Sequence, residues 1–192
     1  MNFTQTSRRM CRNLFGGLLL LLLSGNSAMA IPFSAVDLEG TVGTAGGTNE
    51  AMIVIDWDAD SFAWLYQWNG SATFSDAYIA IADSEGGAFS WTEGNVVESM
   101  SYTTGGQTYT TGAAYWLSFW NSADGYTWST NSLGVEEQPL VNGGWAGAQA
   151  NLPANGDPWH GPQPSVPIPE PGTAVLVLVG LVALTARGRP CL

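Results

Sequence analysis

Ser61-Phe62-Ala63-Trp64-Leu65-Tyr66-Gln67-Trp68 is the stretch that decides the fold class of this chain. Phe62, Trp64, Tyr66 and Trp68 alternate with Ala63, Leu65 and Gln67, and a period of two belongs to a β-strand, whose successive side chains leave on opposite faces. Upstream, Ala51 to Trp57 reads as a second strand with Ile53, Ile55 and Trp57 on one face, and Asp58-Ala59-Asp60 serves as the connection between the two runs. Downstream, Asn69-Gly70 is a strong turn signal, although its hairpin partner is less clear than the turn itself.

The same alternation continues further out. Ser75 to Asp83 fits a strand through Tyr78, Ala80 and Ala82, or a short helix capped and charged by Ser75 and Asp76, with the helix favoured. Val96 to Tyr102 and Gln107 to Thr110 read as strands around a Gly105-Gly106 turn. Ala114 to Trp120 sets Tyr115, Leu117 and Phe119 on one face and Trp116 and Trp120 on the other, and Asn121 to Gly125 leads into a hairpin with Tyr126 to Thr130. From Val141 onward Gly, Asn and Pro accumulate, and Pro153 to Pro167 reads as an extended linker. The expectation is a mainly β fold, a single antiparallel, sandwich-like domain with one short helix, or alternatively α+β. No internal repeat of fixed period accompanies it.

Charge is distributed unevenly. The five basic residues are all arginines at the two ends, Arg8, Arg9 and Arg12 at one and Arg187 and Arg189 at the other, while fifteen of the sixteen acids lie between Ile31 and Ile168. That segment, about 140 residues and enough for one core, has no Lys or Arg, and His160 is its one basic side chain. Its fold must rest on apolar burial and hydrogen bonds. Phosphate neutralisation needs basic side chains, so nucleic-acid binding of that kind is excluded. Uniform negative charge favours a soluble monomer and repels acidic polymers. Cys11 and Cys191 both fall outside the segment, which leaves it without a disulfide.

The ends carry sorting chemistry. Arg8, Arg9 and Arg12 lead into an apolar run from Leu14 to Leu23, and Ala28-Met29-Ala30 gives the small-x-small pattern cut by signal peptidase, so residues 1–30 read as a signal peptide and the released chain begins near Ile31. At the other end Pro169-Glu170-Pro171 precedes an apolar stretch, Gly172 to Ala186, and then Arg187 and Arg189. As a helix that stretch spans about 22 Å against a hydrocarbon core of about 30 Å, short for a permanent anchor. The positive-inside tendency places the arginines of both ends in the cytoplasm and everything between them outside. Pro167, Pro169 and Pro171 keep the approach to the stretch extended.

This three-part layout of residues 169–192 resembles the PEP-CTERM sorting signal of exported Gram-negative bacterial proteins. The resemblance implies recognition by an exosortase through Pro169, Glu170 and Pro171, transient residence in the inner membrane through the C-terminal tail, and delivery to the cell surface or extracellular matrix. Tyr66-Gln67-Trp68-Asn69-Gly70 and Gly143-Gly144-Trp145-Ala146-Gly147 also look like the aromatic-rich module of other small exported proteins with such tails. The chain then divides into a signal peptide at 1–30, an acidic aromatic-rich β domain at 31–152, a Pro/Gly-rich linker at 153–168 and the sorting tail at 169–192.

Candidate chemistry within the exported segment is sparse. Asp56, Asp58 and Asp60 could offer hard oxygen ligands to calcium, but Ser61 and Gln67 stand where an EF-hand needs Gly and Glu, and a solvated acidic loop is the competing reading. The tryptophans invite stacking on the rings of an extracellular polysaccharide, against the alternative that they fill a core without disulfides. If one face of the 62–68 strand is core, Trp64 and Trp68 are buried together and Trp116 and Trp120 become the surface candidates. His160 has no second His or Cys for a transition metal, and no Gly-x-Ser-x-Gly elbow accompanies it. Fifteen acids offer many carboxylate pairs, and none can be singled out as a glycosidase pair. The expected function is therefore non-enzymatic, an exported surface or matrix protein with a structural or interaction role, with a carbohydrate-binding module as the alternative.

Overall fold

The computed structural model describes residues 30–93, 97–111, 117–150 and 162–169. Nine strands and one α-helix are formed among them: β1 (Gly40–Gly43), β2 (Asn49–Asp56), β3 (Ser61–Trp68), α1 (Phe74–Ser84), β4 (Phe89–Glu93), β5 (Val97–Thr104), β6 (Gln107–Thr110), β7 (Ser118–Ser122), β8 (Trp128–Thr130) and β9 (Trp145–Gln149). The fold is mainly β, as the alternation requires. β1, β3, β2, β9, β7 and β8 form a six-stranded sheet in that order, and β4, β5 and β6 form a second sheet of three.

The larger sheet is mixed. β2 and β3 are the antiparallel hairpin read from the sequence, with Ile53 opposite Trp64 and Ile55 opposite Phe62. β1 runs parallel to β3 and β9 parallel to β2, so the expected all-antiparallel arrangement holds only in part. Asn69-Gly70 closes no hairpin. Gly70, at φ 75°, turns the chain out of β3 towards α1, and the Asn69 side chain accepts hydrogen bonds from the Thr48 N–H at 3.1 Å and the Thr48 hydroxyl at 3.2 Å. The helix spans the segment for which it was favoured, but its N-cap is Thr73 in place of Ser75. Thr73 and Asp76 form a reciprocal capping box. β5 and β6 meet at Gly105-Gly106, where both residues of a two-residue loop take positive φ, 59° and 81°.

Both faces of the larger sheet are covered, which explains why Ala51 to Asp56 is buried without interruption. On one face Ile53, Ile55, Trp64 and Trp68 pack with Phe74, Tyr78 and Ile81 of α1 and with Phe89, Met100 and Tyr102 of the second sheet. On the other, Met52, Val54, Ala63, Trp120, Trp128 and Trp145 are covered by Ile31, Phe33 and Val36 from the N-terminal side and by Val166 from the C-terminal side. Residues 162–168 are consequently no free linker. Pro164 is buried, the Ser165 N–H donates to Asp56 Oδ2 at 2.7 Å, and the Asp37 N–H donates to the Pro167 carbonyl at 2.9 Å. A strap formed by this segment completes the second face, and Ala30–Pro169 forms one compact unit.

Candidate functional site

The acidic triplet is dispersed among separate tasks. Asp56 is buried, and its carboxylate accepts from the Asp58 N–H at 2.6 Å and the Ser165 N–H at 2.7 Å. The first bond holds Asp58 at φ 73°, a left-handed conformation that Asp tolerates better than most residues. Asp60 accepts from the Tyr109 hydroxyl at 3.0 Å. Asp56 is thereby committed to the hairpin turn and the strap, while Asp58 and Asp60, the other two residues of the calcium expectation, are placed by the turn itself. Among the described residues no group of three His, Cys, Asp or Glu side chains stands ready to hold a metal ion.

Other carboxylates serve the same purpose in a segment without Lys or Arg, where hydroxyl, indole and amide donors take the place of cations. Glu85 Oε1 accepts from Trp64 Nε1 at 2.8 Å, and Glu39 Oε2 accepts from the Tyr102 hydroxyl at 2.8 Å. Burial first, then the Glu39 hydrogen bond and the charges of Glu39 and Glu85, push the Tyr102 phenol well above its ordinary range. Burial alone does so for Tyr78.

The tryptophans divide as the core reading requires. Trp57, Trp64, Trp68, Trp120, Trp128 and Trp145 are all buried. Trp116 lies outside the described residues. Trp120, the other candidate for sugar stacking, is only 5% exposed, so that expectation is corrected. Within the described part of the 114–120 run, Leu117 and Phe119 pack on one face of the sheet and Trp120 on the other, as the alternation expects, while Ala114 and Tyr115 lie outside the described residues. The second face is closed by the N-terminal segment and the strap, which the sequence pattern does not announce.

A groove of about 570 Å³, apolar over most of its lining, opens between the β7–β8 loop and the turn at residues 141–144. Asn121, Ser122, Asp124, Thr127, Ser129 and Asn142 supply its polar lining. The loop is built around Asp124, whose Oδ1 accepts from the Tyr126 N–H at 2.9 Å and the Thr127 N–H at 2.7 Å. Ser122 Oγ accepts from the Asp124 and Gly125 N–H groups at 3.2 and 2.9 Å. The Thr127 and Tyr126 N–H groups hold the Asp124 carboxyl down at about 2. Asn142 Oδ1 accepts from the Glu50 N–H at 3.0 Å, which fixes the opposite wall. Tyr126, 55% exposed, and Val141, 68% exposed, are the large apolar groups nearest the opening in sequence. Amides, hydroxyls and one carboxylate, with no cation, suit a neutral polyhydroxyl ligand and disfavour an anion. These residues were not singled out from the sequence, where Ser122-Ala123-Asp124-Gly125 offered the one available signal, a side-chain-capped turn.

Ile31 sits behind the same loop. Its N–H donates to the Asp124 carbonyl at 2.9 Å, and its side chain is only 5% exposed. Gly125, at φ 77°, admits it: a Cβ there would lie 2.9 Å from Trp145 Cζ2 and 3.1 Å from Ile31 Cδ1. Phe33 meets the Trp145 ring edge-on at 5.2 Å. Ala30 is exposed, as is Pro169 at the other boundary. Ala28, Glu170, Pro171, Arg187 and Arg189 lie outside the described residues, as does the apolar stretch at 172–186. Among the described residues no helix is long and apolar enough to cross a membrane.

Comparison with known proteins gave no match, whether to a family model, a curated protein or a solved structure.

Proposed function

We propose that this chain is an exported protein of the bacterial cell surface or extracellular matrix, trimmed by signal peptidase at Ala30 and handled by an exosortase at Pro169-Glu170-Pro171, with a structural or interaction role and no enzymatic one. The observation that supports the reading is a coincidence of boundaries. The compact unit runs from Ala30 to Pro169, the last residue of the Ala-Met-Ala pattern and the first of Pro-Glu-Pro. Both processing points of this reading thus fall at the margins of the compact unit, and all the strands formed by the described residues lie between them. Intact mass and terminal peptide mapping of the protein recovered from its cells test it. An N-terminus at Ile31 and a C-terminus within 169–171 are expected. An intact chain ending at Leu192 in the membrane would overturn the sorting reading.

The carbohydrate reading moves from the tryptophans to the groove between residues 121–129 and 141–144, because amides and hydroxyls set in a largely apolar lining offer a neutral sugar both hydrogen-bond partners and apolar surface. Titration of the exported protein with neutral oligosaccharides, followed by amide NMR shifts, should perturb residues 121–129 and 141–144 together. No perturbation there across a broad panel would end this second reading.

A further inference from the structure

We propose that cleavage after Ala30 seats a new α-ammonium on the Asp124 carbonyl, so that the mature N-terminus becomes a fixed internal cation locking the loop that walls the groove. This inference rests on the reading of Ala28-Met29-Ala30 as a processing site. Hydrolysis of the Ala30–Ile31 amide consumes one water and leaves a carboxylate on Ala30 and an ammonium on Ile31. The leader's carboxylate departs with it, and the ammonium stays.

The seat exists before cleavage. The Ile31 nitrogen is already 2.9 Å from the Asp124 carbonyl oxygen, its side chain is buried beside Gly125 and Trp145, and Phe33 packs on Trp145 two residues later. Processing therefore converts a neutral N–H···O bond into a charge-assisted one, about twice as strong, without moving the chain. The two remaining protons face the space that exposed Ala30 occupied and are solvated. Titratable groups on the elements of this layer are Asp124 and Tyr126 on the loop, Glu50 and Asp56 on β2, Tyr66 on β3 and Asp37 and Glu39 on the N-terminal segment; β7, β8, β9 and residues 162–169 carry none. Every charge in that set is negative, so a single ammonium meets no like-charged neighbour.

The sequence makes the test unusually clean, because the whole chain contains no lysine and a mature protein beginning at Ile31 has one primary amine. Full-length protein is expressed in its cells, the exported form is recovered, and its N-terminus is sequenced. It is then acetylated with an N-hydroxysuccinimide ester, both folded and in urea. Acetylation keeps the Ile31 N–H and removes only the charge. Acetylation of the folded form should be about tenfold slower than in urea. The acetylated protein should melt about 3 °C lower at pH 6. That gap should close as the pH rises past about 8, where an α-amine loses its proton. An N-terminus at Ile31 with equal labelling rates and unchanged melting would overturn the lock and leave the processing reading standing. A different N-terminus would overturn that processing position, and the lock with it.

Discussion

Trp64 Nε1 donates to Glu85 Oε1 at 2.8 Å, joining the most deeply buried indole of β3 to the C-cap of α1. A carboxylate at a helix C-terminus opposes the helix dipole, so Glu85 is held there by the indole in spite of local electrostatics. Glu85→Ala should cost about 1–3 kcal/mol, because it strands a buried donor. Glu85→Gln should cost less than half as much, since an amide oxygen still accepts and the unfavourable charge is gone. Urea denaturation of the two variants separates these outcomes, and equal losses would show that the hydrogen bond is not the reason.

Asp56 ties the hairpin turn and the strap to one carboxylate. Replacing it with Ala removes acceptors from the Asp58 and Ser165 N–H groups together and should destabilise the domain by about 2–3 kcal/mol. The strap should respond first. Limited proteolysis is expected to cut within residues 162–169 of Asp56→Ala well before it cuts the parent, and unchanged cleavage there would argue that the strap is held by packing alone.

Gly147 lies where β9 passes beneath the strap. A Cβ at this position would stand 2.7 Å from Pro164 Cγ and 2.9 Å from Trp128 Cζ3, so Gly147→Ala should cost about 1–3 kcal/mol by overpacking. Because the obstacle is Pro164, adding Pro164→Ala should restore part of the loss. Additive losses in the double variant would mean that the two residues do not meet.

Stability should respond to pH at both extremes. Asp124 has its carboxyl lowered to about 2 by the Thr127 and Tyr126 N–H groups. A lowered folded value stabilises above the unfolded value of about 3.9, and the contribution disappears as the pH falls towards 2. Melting temperature against pH should therefore fall more steeply between 4 and 2 for the parent than for Asp124→Asn. Tyr78 and Tyr102 are raised, so their contribution is complete below pH 10 and is lost as the pH climbs beyond it. Phenolate absorbance should show both remaining protonated past pH 10 until the chain unfolds.

The parts of the fold legible in the sequence are those where period two is written in large side chains. β2, β3, the β5–β6 hairpin and the β7–β8 hairpin all follow from aromatic or β-branched alternation and glycine turns. β9, Trp145-Ala146-Gly147-Ala148-Gln149, was hidden because a strand squeezed between two covered faces needs small residues, and small residues weaken the strand signal. β4 was missed although Phe89-Ser90-Trp91-Thr92-Glu93 alternates, and β1 is only Gly40-Thr41-Val42-Gly43. At the groove, Asp124 and Asn142 act through loop geometry, and their roles arise from the approach of residues 121–129 to 141–144, which no local pattern encodes. The burial of Trp120 had the same cause, since the strap that covers its face read as a linker.

β9 occupies the centre of the larger sheet, between β2 and β7, although among the described residues it is the last strand in chain order. Its pairing of Trp145 with Met52 spans about ninety positions, a contact of the long-range kind that slows folding. Until Trp145 to Gln149 arrives, β2 and β7 each face an empty place in the sheet, and the hydrophobic layers on either side cannot close. A chain threading a membrane from its N-terminus would hold the β2–β3 hairpin but no finished core until nearly all of it had crossed. Late arrival of a middle strand thus leaves the core open until most of the chain is present, a delay that would keep an exported chain of the kind proposed above loose during transit.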